Sequence, residues 1–427
     1  MPDDIQLVAG EWRSPEECVS DGESSHDACY GRAPVEGTAP STSATGTTVY
    51  DRLGARPVVN CRGVYSELGG AIISPDVWAA MTEAAGMAAS MAELLEATGR
   101  RLAQLLEAEA ARVTPGAAAG IALGTAACLT RGDGAATERL PDTTGLPDEV
   151  LLQGVQRPNY KYARLIWMTG AKLRLVGTDE ATSHEDLERA LDPQRVAAVF
   201  VPAHLDDEPG ALPLREVAAV AHDHGVPTLV DAAFLNYPPA SMRRFTEEGG
   251  DLVCFSAKYC YGPNTGGFVI GRSDLVDAVA VVDFTGFESG RWAIFGRPFK
   301  LDLHTVVGTV LAVEEWMEFE HQARWRAYAE LVDELAGAVE GIPGVRAEPS
   351  FFTMVETLES EPVNCLVVRV DAQKAGVSAA DVERSLHESN PRVAVHRWDD
   401  TLIVAVDTML PEQGPYVCER LRVAFSL

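Results

Sequence analysis

Lys258 and Asp231 are the two side chains of this sequence best suited to covalent chemistry. Asp231 closes the apolar run Val226-Pro227-Thr228-Leu229-Val230-Asp231, and Lys258 follows in Phe255-Ser256-Ala257-Lys258-Tyr259-Cys260-Tyr261-Gly262-Pro263. An acid at the end of one buried strand and an amine just past the next can grip opposite sides of one aromatic ring. Pyridoxal phosphate (PLP) needs that pair: its aldehyde takes an amine as a Schiff base, and its ring nitrogen stays protonated beside a carboxylate. Taken singly, an Asp at a strand end is often a turn cap and a Lys near a Gly-Pro turn a solvated charge. Their common setting favours a site, because the glycines of Gly262-Pro263-Asn264-Thr265-Gly266-Gly267 let backbone approach a ligand closely.

The elements that must position this pair follow from the hydrophobic pattern. Strands at 150–152, 172–176, 196–201, 226–231 and 252–255 alternate with helices at 92–106, from Gly116, near 160–169, 184–191 and 213–224. That rhythm predicts an α/β fold with a mainly parallel sheet covered by helices, in which ligands sit at the strands' carboxyl ends. Val58-Val59-Asn60 reads as a short first strand, and Ser74-Pro75 as a capped helix start. After Phe299 a long helical pattern runs to about Glu340. Strands at 365–370, 393–397 and 402–406 around a helix near Ser378 complete a smaller α+β domain. Residues 1–47, rich in Ser, Thr, Gly, Pro and acid, read as a flexible leader. The division expected is therefore leader 1–47, large domain with an N-terminal arm 48–299, and long helix with small C-terminal domain 300–427.

With 427 residues, 46% of them hydrophobic, the chain can fill two cores. Its apolar stretches fall short of a bilayer span and its acidic start does not resemble a signal peptide, so a cytoplasmic protein with no membrane partner is expected. Eight cysteines show no CxxC pair or zinc-type spacing, which favours reduced thiols and no metal. A formal charge of −28 opposes nucleic acid over most of the surface.

A phosphate site is suggested by Thr114-Pro115-Gly116-Ala117-Ala118-Ala119, where small residues introduce a helix whose free N–H groups and dipole suit a dianion. An Ala-rich helix can equally be close-packed core, and the turn gains meaning only beside Asp231 and Lys258. The segments Arg56-Pro57-Val58-Val59-Asn60, Gly69-Gly70-Ala71-Ile72-Ile73-Ser74-Pro75, Val113 to Ala119, His224 to Ala233, Phe255 to Lys258, Gly262 to Gly266 and Phe295-Gly296-Arg297-Pro298-Phe299-Lys300 resemble the bacterial selenocysteine synthase (L-seryl-tRNA selenium transferase)-like family of fold-type I PLP proteins. That family includes the D-glucosaminate-6-phosphate ammonia-lyases, and the likeness runs from about residue 50 to 425.

The resemblance implies an aspartate-aminotransferase-like large domain, with Lys258 as the Schiff-base lysine and Asp231 as the partner of the pyridine nitrogen. Gly116, Ala117 and Ala118 correspond to the phosphate-binding turn, joined by the Ser256 hydroxyl. Relatives often carry Ser-Gly-Gly-Lys where this chain has Ser256-Ala257-Lys258, one residue shorter, so the Ser256 contact stays open. Thr265 implies a site shared across a homodimer. His204 follows strand 196–201, where fold-type I enzymes often place a donor to the cofactor's phenolic oxygen; a surface histidine would look the same. Gln156, Arg157 and Tyr160 are candidates to line the ring, and Arg297, Lys300 and Arg397 to bind a substrate carboxylate or phosphate.

The reaction expected is α-proton abstraction from an amino acid or amino sugar acid, leading to β-elimination with ammonia release or to β-replacement. A PLP-dependent aminotransferase, a seryl-tRNA selenium transferase and a non-catalytic PLP-fold scaffold are the alternatives.

Overall fold

The computed structural model describes residues 48–291 and 293–426; the leader expected at 1–47 lies outside the described residues. The described strands fall into two sheets. The N-terminal strand, β1 (Val58–Cys61), joins the C-terminal sheet. The next seven form the first sheet: β2 (Ala110–Thr114), β3 (Glu149–Gln153), β4 (Lys172–Val176), β5 (Val196–Pro202), β6 (Thr228–Asp231), β7 (Leu252–Ser256) and β8 (Gly267–Gly271). Their spatial order is 2-8-7-6-5-3-4. The pairs β7/β6, β6/β5, β5/β3 and β3/β4 are parallel, while β8 runs antiparallel to both of its neighbours.

The mainly parallel sheet is thus as expected, with one reversed strand that the pattern did not reveal. Its central strands read as unbroken apolar runs because helices cover both faces. All seven residues of β5 are buried. The helix Gly116–Thr130 lies over β5 to β8 and is buried without interruption from Ala119 to Thr130. Small residues make that approach possible: a Cβ at Gly124 would stand 2.9 Å from Leu229 Cδ1, so alanine there would require the Leu229 side chain to shift.

The second sheet adds β9 (Val345–Phe352), β10 (Leu358–Glu359), β11 (Cys365–Val370), β12 (Arg392–Trp398) and β13 (Thr401–Ala405) to β1, in the order 1-12-13-11-9-10. Its β1/β12 pair is parallel and the rest antiparallel. The segment expected as an arm of the large domain therefore supplies an edge strand to the C-terminal layer, because Val59 and Cys61 find their apolar partners there.

Two helical expectations change. The long helix after Phe299 is two helices, Leu303–Glu318 and His321–Val339. Neither glycine nor proline marks the break; the His321 ring donates from Nε2 to the Trp316 carbonyl at 2.9 Å and so satisfies a helix-terminal oxygen. The helix expected near 160–169 shrinks to Ala163–Trp167 after a 3₁₀ turn, Gly154–Asn159, that contains Pro158.

Candidate active site

The parallel strands bring their carboxyl ends to one edge of the first sheet, and the reversed strand β8 begins there. Across β8, both Thr114 and Ser256 register with Gly267, and Asp231 registers with Cys254 two residues before Ser256. The strand ends thus assemble Thr114-Pro115-Gly116, Asp231, Ser256 and Lys258 on one side of the domain. His204 enters the same edge in the turn Ala203–Leu205 that follows β5.

Asp231 is 4% exposed, and its carboxylate accepts one hydrogen bond, from the Ala233 N–H at 3.2 Å. Burial pushes its pKa up to about 6. Such an acid has been stripped of water without receiving a cation, the condition a protonated ring nitrogen would relieve. Lys258 is half-buried on the short 3₁₀ turn Ala257–Cys260, and the other four lysines, Lys161, Lys172, Lys300 and Lys374, are all exposed. Its Nζ donates to Ser66 Oγ at 3.0 Å and to the Val64 carbonyl at 3.4 Å, and lies 4.8 Å from the Tyr259 ring centre. Burial lowers its pKa, which raises the share of the nucleophilic neutral amine.

The turn before helix Gly116–Thr130 is open to an anion. Gly116 has φ +80° with nothing within 4 Å of where a Cβ would stand, and Pro115 provides no side-chain cap for the first amides. A Cβ at Gly267 would lie 2.5 Å from the Gly116 backbone, so only glycine lets β8 begin against this turn. Ala117 is buried and Ala118 exposed. An uncapped helix start, a half-buried amine and an under-satisfied buried acid at one sheet edge together fit PLP.

Around them, the His204 ring stands 5.5 Å from Phe234, which stands 6.0 Å from Tyr259. Burial, and then the charge of Lys161, lower the His204 pKa and keep its ring neutral. Gln156 is buried; its Nε2 donates to the Leu205 carbonyl at 3.0 Å, and its Oε1 has no partner among the described residues. Tyr160 is buried 5.0 Å from the Phe200 ring, its hydroxyl likewise without a described partner, and burial followed by the Asp231 charge raises its pKa. Arg157 is partly exposed on the neighbouring 3₁₀ turn, and Thr265 is exposed in the Gly262–Gly266 turn.

The distal cations separate. Arg297 stacks on Phe287, its Cζ 4.5 Å from the ring centre, and Lys300 is exposed. Arg397 is not brought to Lys258. On β12 its neighbour His396 turns to the Arg62 carbonyl at 3.0 Å, so strand alternation sends Arg397 to the opposite face, where Nε meets Glu383 at 2.7 Å. What sequence reasoning missed is the loop 62–66, whose Val64 and Ser66 hold the Lys258 amine, together with Asn264, whose Nδ2 donates to the Ser66 carbonyl at 3.5 Å. The flanking motifs Arg56–Asn60 and Gly69-Gly70 were visible signals, but nothing in them points to Lys258.

No protein-family profile matches the chain. It is 31% identical over 352 residues to a 5'-C-glycyluridine monooxygenase-decarboxylase from Streptomyces sp, covering 81% of this chain and 84% of the relative. It is 28% identical over 341 residues to a D-glucosaminate-6-phosphate ammonia lyase from Salmonella typhimurium, covering 79% and 86%. A solved D-glucosaminate-6-phosphate ammonia-lyase structure superposes with a TM-score of 0.76 at 26% identity, covering 89% of this chain and 98% of that one.

Proposed function

The chain belongs to the selenocysteine synthase-like family of fold-type I PLP-dependent enzymes that includes the D-glucosaminate-6-phosphate ammonia-lyases, and from that premise we propose a lyase that removes ammonia from an amino acid or amino sugar acid. The observation that carries the proposal is Asp231, buried with one amide for a partner, on the strand beside the one that leads into Lys258. Bound PLP supplies an electron sink for the electron pair left when the substrate's α-proton departs.

The protein residues do the rest. Lys258 would hold the cofactor's aldehyde carbon and, as a free amine, would take the substrate's α-proton on Nζ; burial lowers its pKa from the ordinary lysine value, which favours that neutral form. Asp231 keeps a proton on the ring nitrogen. Gly116, Ala117 and Ala118 present amides to the phosphate, with Ser256 beside them, and neutral His204 lies ready to donate to the ring. Loss of a β-hydroxyl as water would leave an enamino acid, and its imine tautomer, once released, would take up one water to give the keto acid and ammonia. Gln156, Arg157 and Tyr160 bound the ring's surroundings, and Arg297 is the distal anion contact.

Exposed Thr265 suits a contact with the cofactor of a second subunit, which supports a homodimer. The six described cysteines are buried and unbridged, which suits a reducing cytoplasm, and no helix among the described residues is long and apolar enough to cross a membrane. The net charge of −28 weighs against a tRNA substrate.

A second reading rests on the 31% identical relative: loss of carbon dioxide with uptake of oxygen at the same site. The PLP-loaded protein is to be incubated with D-glucosaminate, its 6-phosphate and a panel of amino acids while ammonia, carbon dioxide and oxygen are followed. Ammonia and keto acid without oxygen uptake support the lyase. Oxygen-dependent carbon dioxide release supports the second reading, and accumulation of pyridoxamine phosphate with amino donor alone would replace both by a transaminase.

A further inference from the structure

The turn that carries Lys258 ends in a residue held against its backbone preference. Tyr261 has φ +57°, and its N–H donates to the Ala257 carbonyl, closing the turn Ala257–Cys260 around Lys258. That left-handed conformation suits glycine and costs a residue that has a Cβ. Among the described residues Tyr261 is the one aromatic residue that adopts it. The adjacent Gly262 serves another need, because a Cβ there would stand 2.9 Å from the Ala257 carbonyl and 2.9 Å from the Ala312 Cβ. We propose that Tyr261 is a positioning residue for Lys258: its hydroxyl, held by Arg324 and Tyr328, keeps the strained turn closed and the Lys258 amine aimed into the cofactor site. This rests on the PLP-enzyme reading of the Lys258 site.

The anchor acts at the far end of the side chain. Arg324, on the helix His321–Val339, donates from Nη1 to the Tyr261 hydroxyl at 3.3 Å. The Tyr261 and Tyr328 hydroxyls share a short hydrogen bond, and the Tyr328 hydroxyl donates to the Asp407 carbonyl at 3.5 Å. With the one Tyr328 proton spent there, Tyr261 is the donor to Tyr328. The chain of bonds runs one way, from a guanidinium through two phenols to the segment after β13. Arg324 is itself fixed, its Cζ 4.0 Å from the Trp325 ring centre and 4.6 Å from that of Trp316. The Tyr261 ring meets Trp316 edge-on at 5.6 Å and Phe319 at 5.9 Å.

The middle of the turn has a second tie. Asn236 Nδ2 donates to the Tyr259 carbonyl at 2.7 Å, and the Asn236 carbonyl accepts from Trp316 Nε1 at 2.8 Å. The turn is thus bound at its centre to the helix Leu303–Glu318 and at its end to His321–Val339. Tyr261 is the tie that opposes the backbone. Strain of this kind persists where the surroundings over-determine it, so loss of one phenolic oxygen lets Tyr261 relax and carry Lys258 with it.

For the test, full-length protein freed of cofactor is mixed with PLP at rising concentration, and Schiff-base formation is followed by visible absorbance. The limiting rate reads the placement of Lys258, and the half-saturating concentration reads the phosphate turn at Gly116. Tyr261→Phe keeps the ring packing and is expected to lower the limiting rate about tenfold, with half-saturation within about twofold. Tyr328→Phe is expected to lower it about threefold, because Arg324 still holds the Tyr261 hydroxyl, and the double variant no further than Tyr261→Phe. Tyr261→Gly removes the whole side chain yet adopts the left-handed conformation freely, so its expected loss is also about threefold, smaller than for phenylalanine. Should the glycine variant not fold, Tyr261→Asn takes its place. A packing role predicts the reverse order, with losses that grow with the atoms removed. A glycine variant slower than the phenylalanine variant, an unchanged limiting rate in Tyr261→Phe, or equal shifts in rate and half-saturation would overturn the proposal. Borohydride fixation of PLP on wild-type Lys258 is measured first; its failure condemns the PLP reading, whereas fixation with the reversed order of variants condemns Tyr261 alone.

Discussion

Two buried aspartates at opposite ends of neighbouring strands are handled in opposite ways. Asp251, just before β7, receives His222 Nε2 and the Thr228 N–H at 2.8 Å each on Oδ2, and Arg272 Nη1 at 3.2 Å on Oδ1. Asp231, at the far end of β6, receives one amide at 3.2 Å and is pushed up to about 6. Both cost desolvation free energy. At the amino end of the sheet that cost is offset within the fold, and at the carboxyl end it is left standing for a ligand to relieve. That difference is what the proposed role of Asp231 requires.

Substitutions can break that contrast at either end. Lys258→Ala should lower ammonia release by about 10⁴-fold or more in a coupled assay, because attachment and proton transfer are lost together. Asp231→Asn should cost on the order of 10³-fold in kcat, since the ring nitrogen loses its ionic partner. Asp251→Ala should do the reverse, removing about 3 kcal/mol of stability in urea unfolding by stranding its buried partners, with turnover per folded molecule unchanged.

The cofactor-free protein sharpens the comparison through pH. Asp231 ionises near 3.8 when unfolded and near 6 when folded, so its contribution is fully present below pH 4 and lost as pH rises through 6. The difference of 6 minus 3.8 corresponds to about 3 kcal/mol. Urea unfolding of the apoprotein at pH 4 and pH 7 should therefore show wild type losing about that much relative to Asp231→Asn. A pH-independent difference between the two would contradict the assignment. The smallest effect belongs to Arg397→Ala, which should leave turnover within about twofold, since an exposed pair with Glu383 faces away from the loop over Lys258.

Much of this was legible in the sequence because it is local. Strand ends, the helix start at Gly116 and the Asp231–Lys258 spacing each follow from a few consecutive residues. The loop over Lys258 was not, since Ser66 and Lys258 meet across 192 positions and neither carries a periodic signal. Strand β8 escaped because Gly266-Gly267 reads as a turn, whereas Gly267 is the residue that lets β8 start against Gly116. The long helix after Phe299 was read through Phe319-Glu320 because the residue that ends its first half, His321, works through a side-chain bond to a carbonyl and leaves no glycine or proline behind. The pairing of Arg397 with Glu383 was not legible because which face of β12 it occupies depends on a strand register invisible before folding.

The central claim is that Lys258, alone among five lysines of which four are exposed, carries the cofactor. PLP-loaded protein reduced with borohydride, digested and sequenced by mass spectrometry should place the phosphopyridoxyl group on the peptide containing Lys258. Its appearance on Lys161, Lys172, Lys300 or Lys374, or on no lysine at all, would contradict the account.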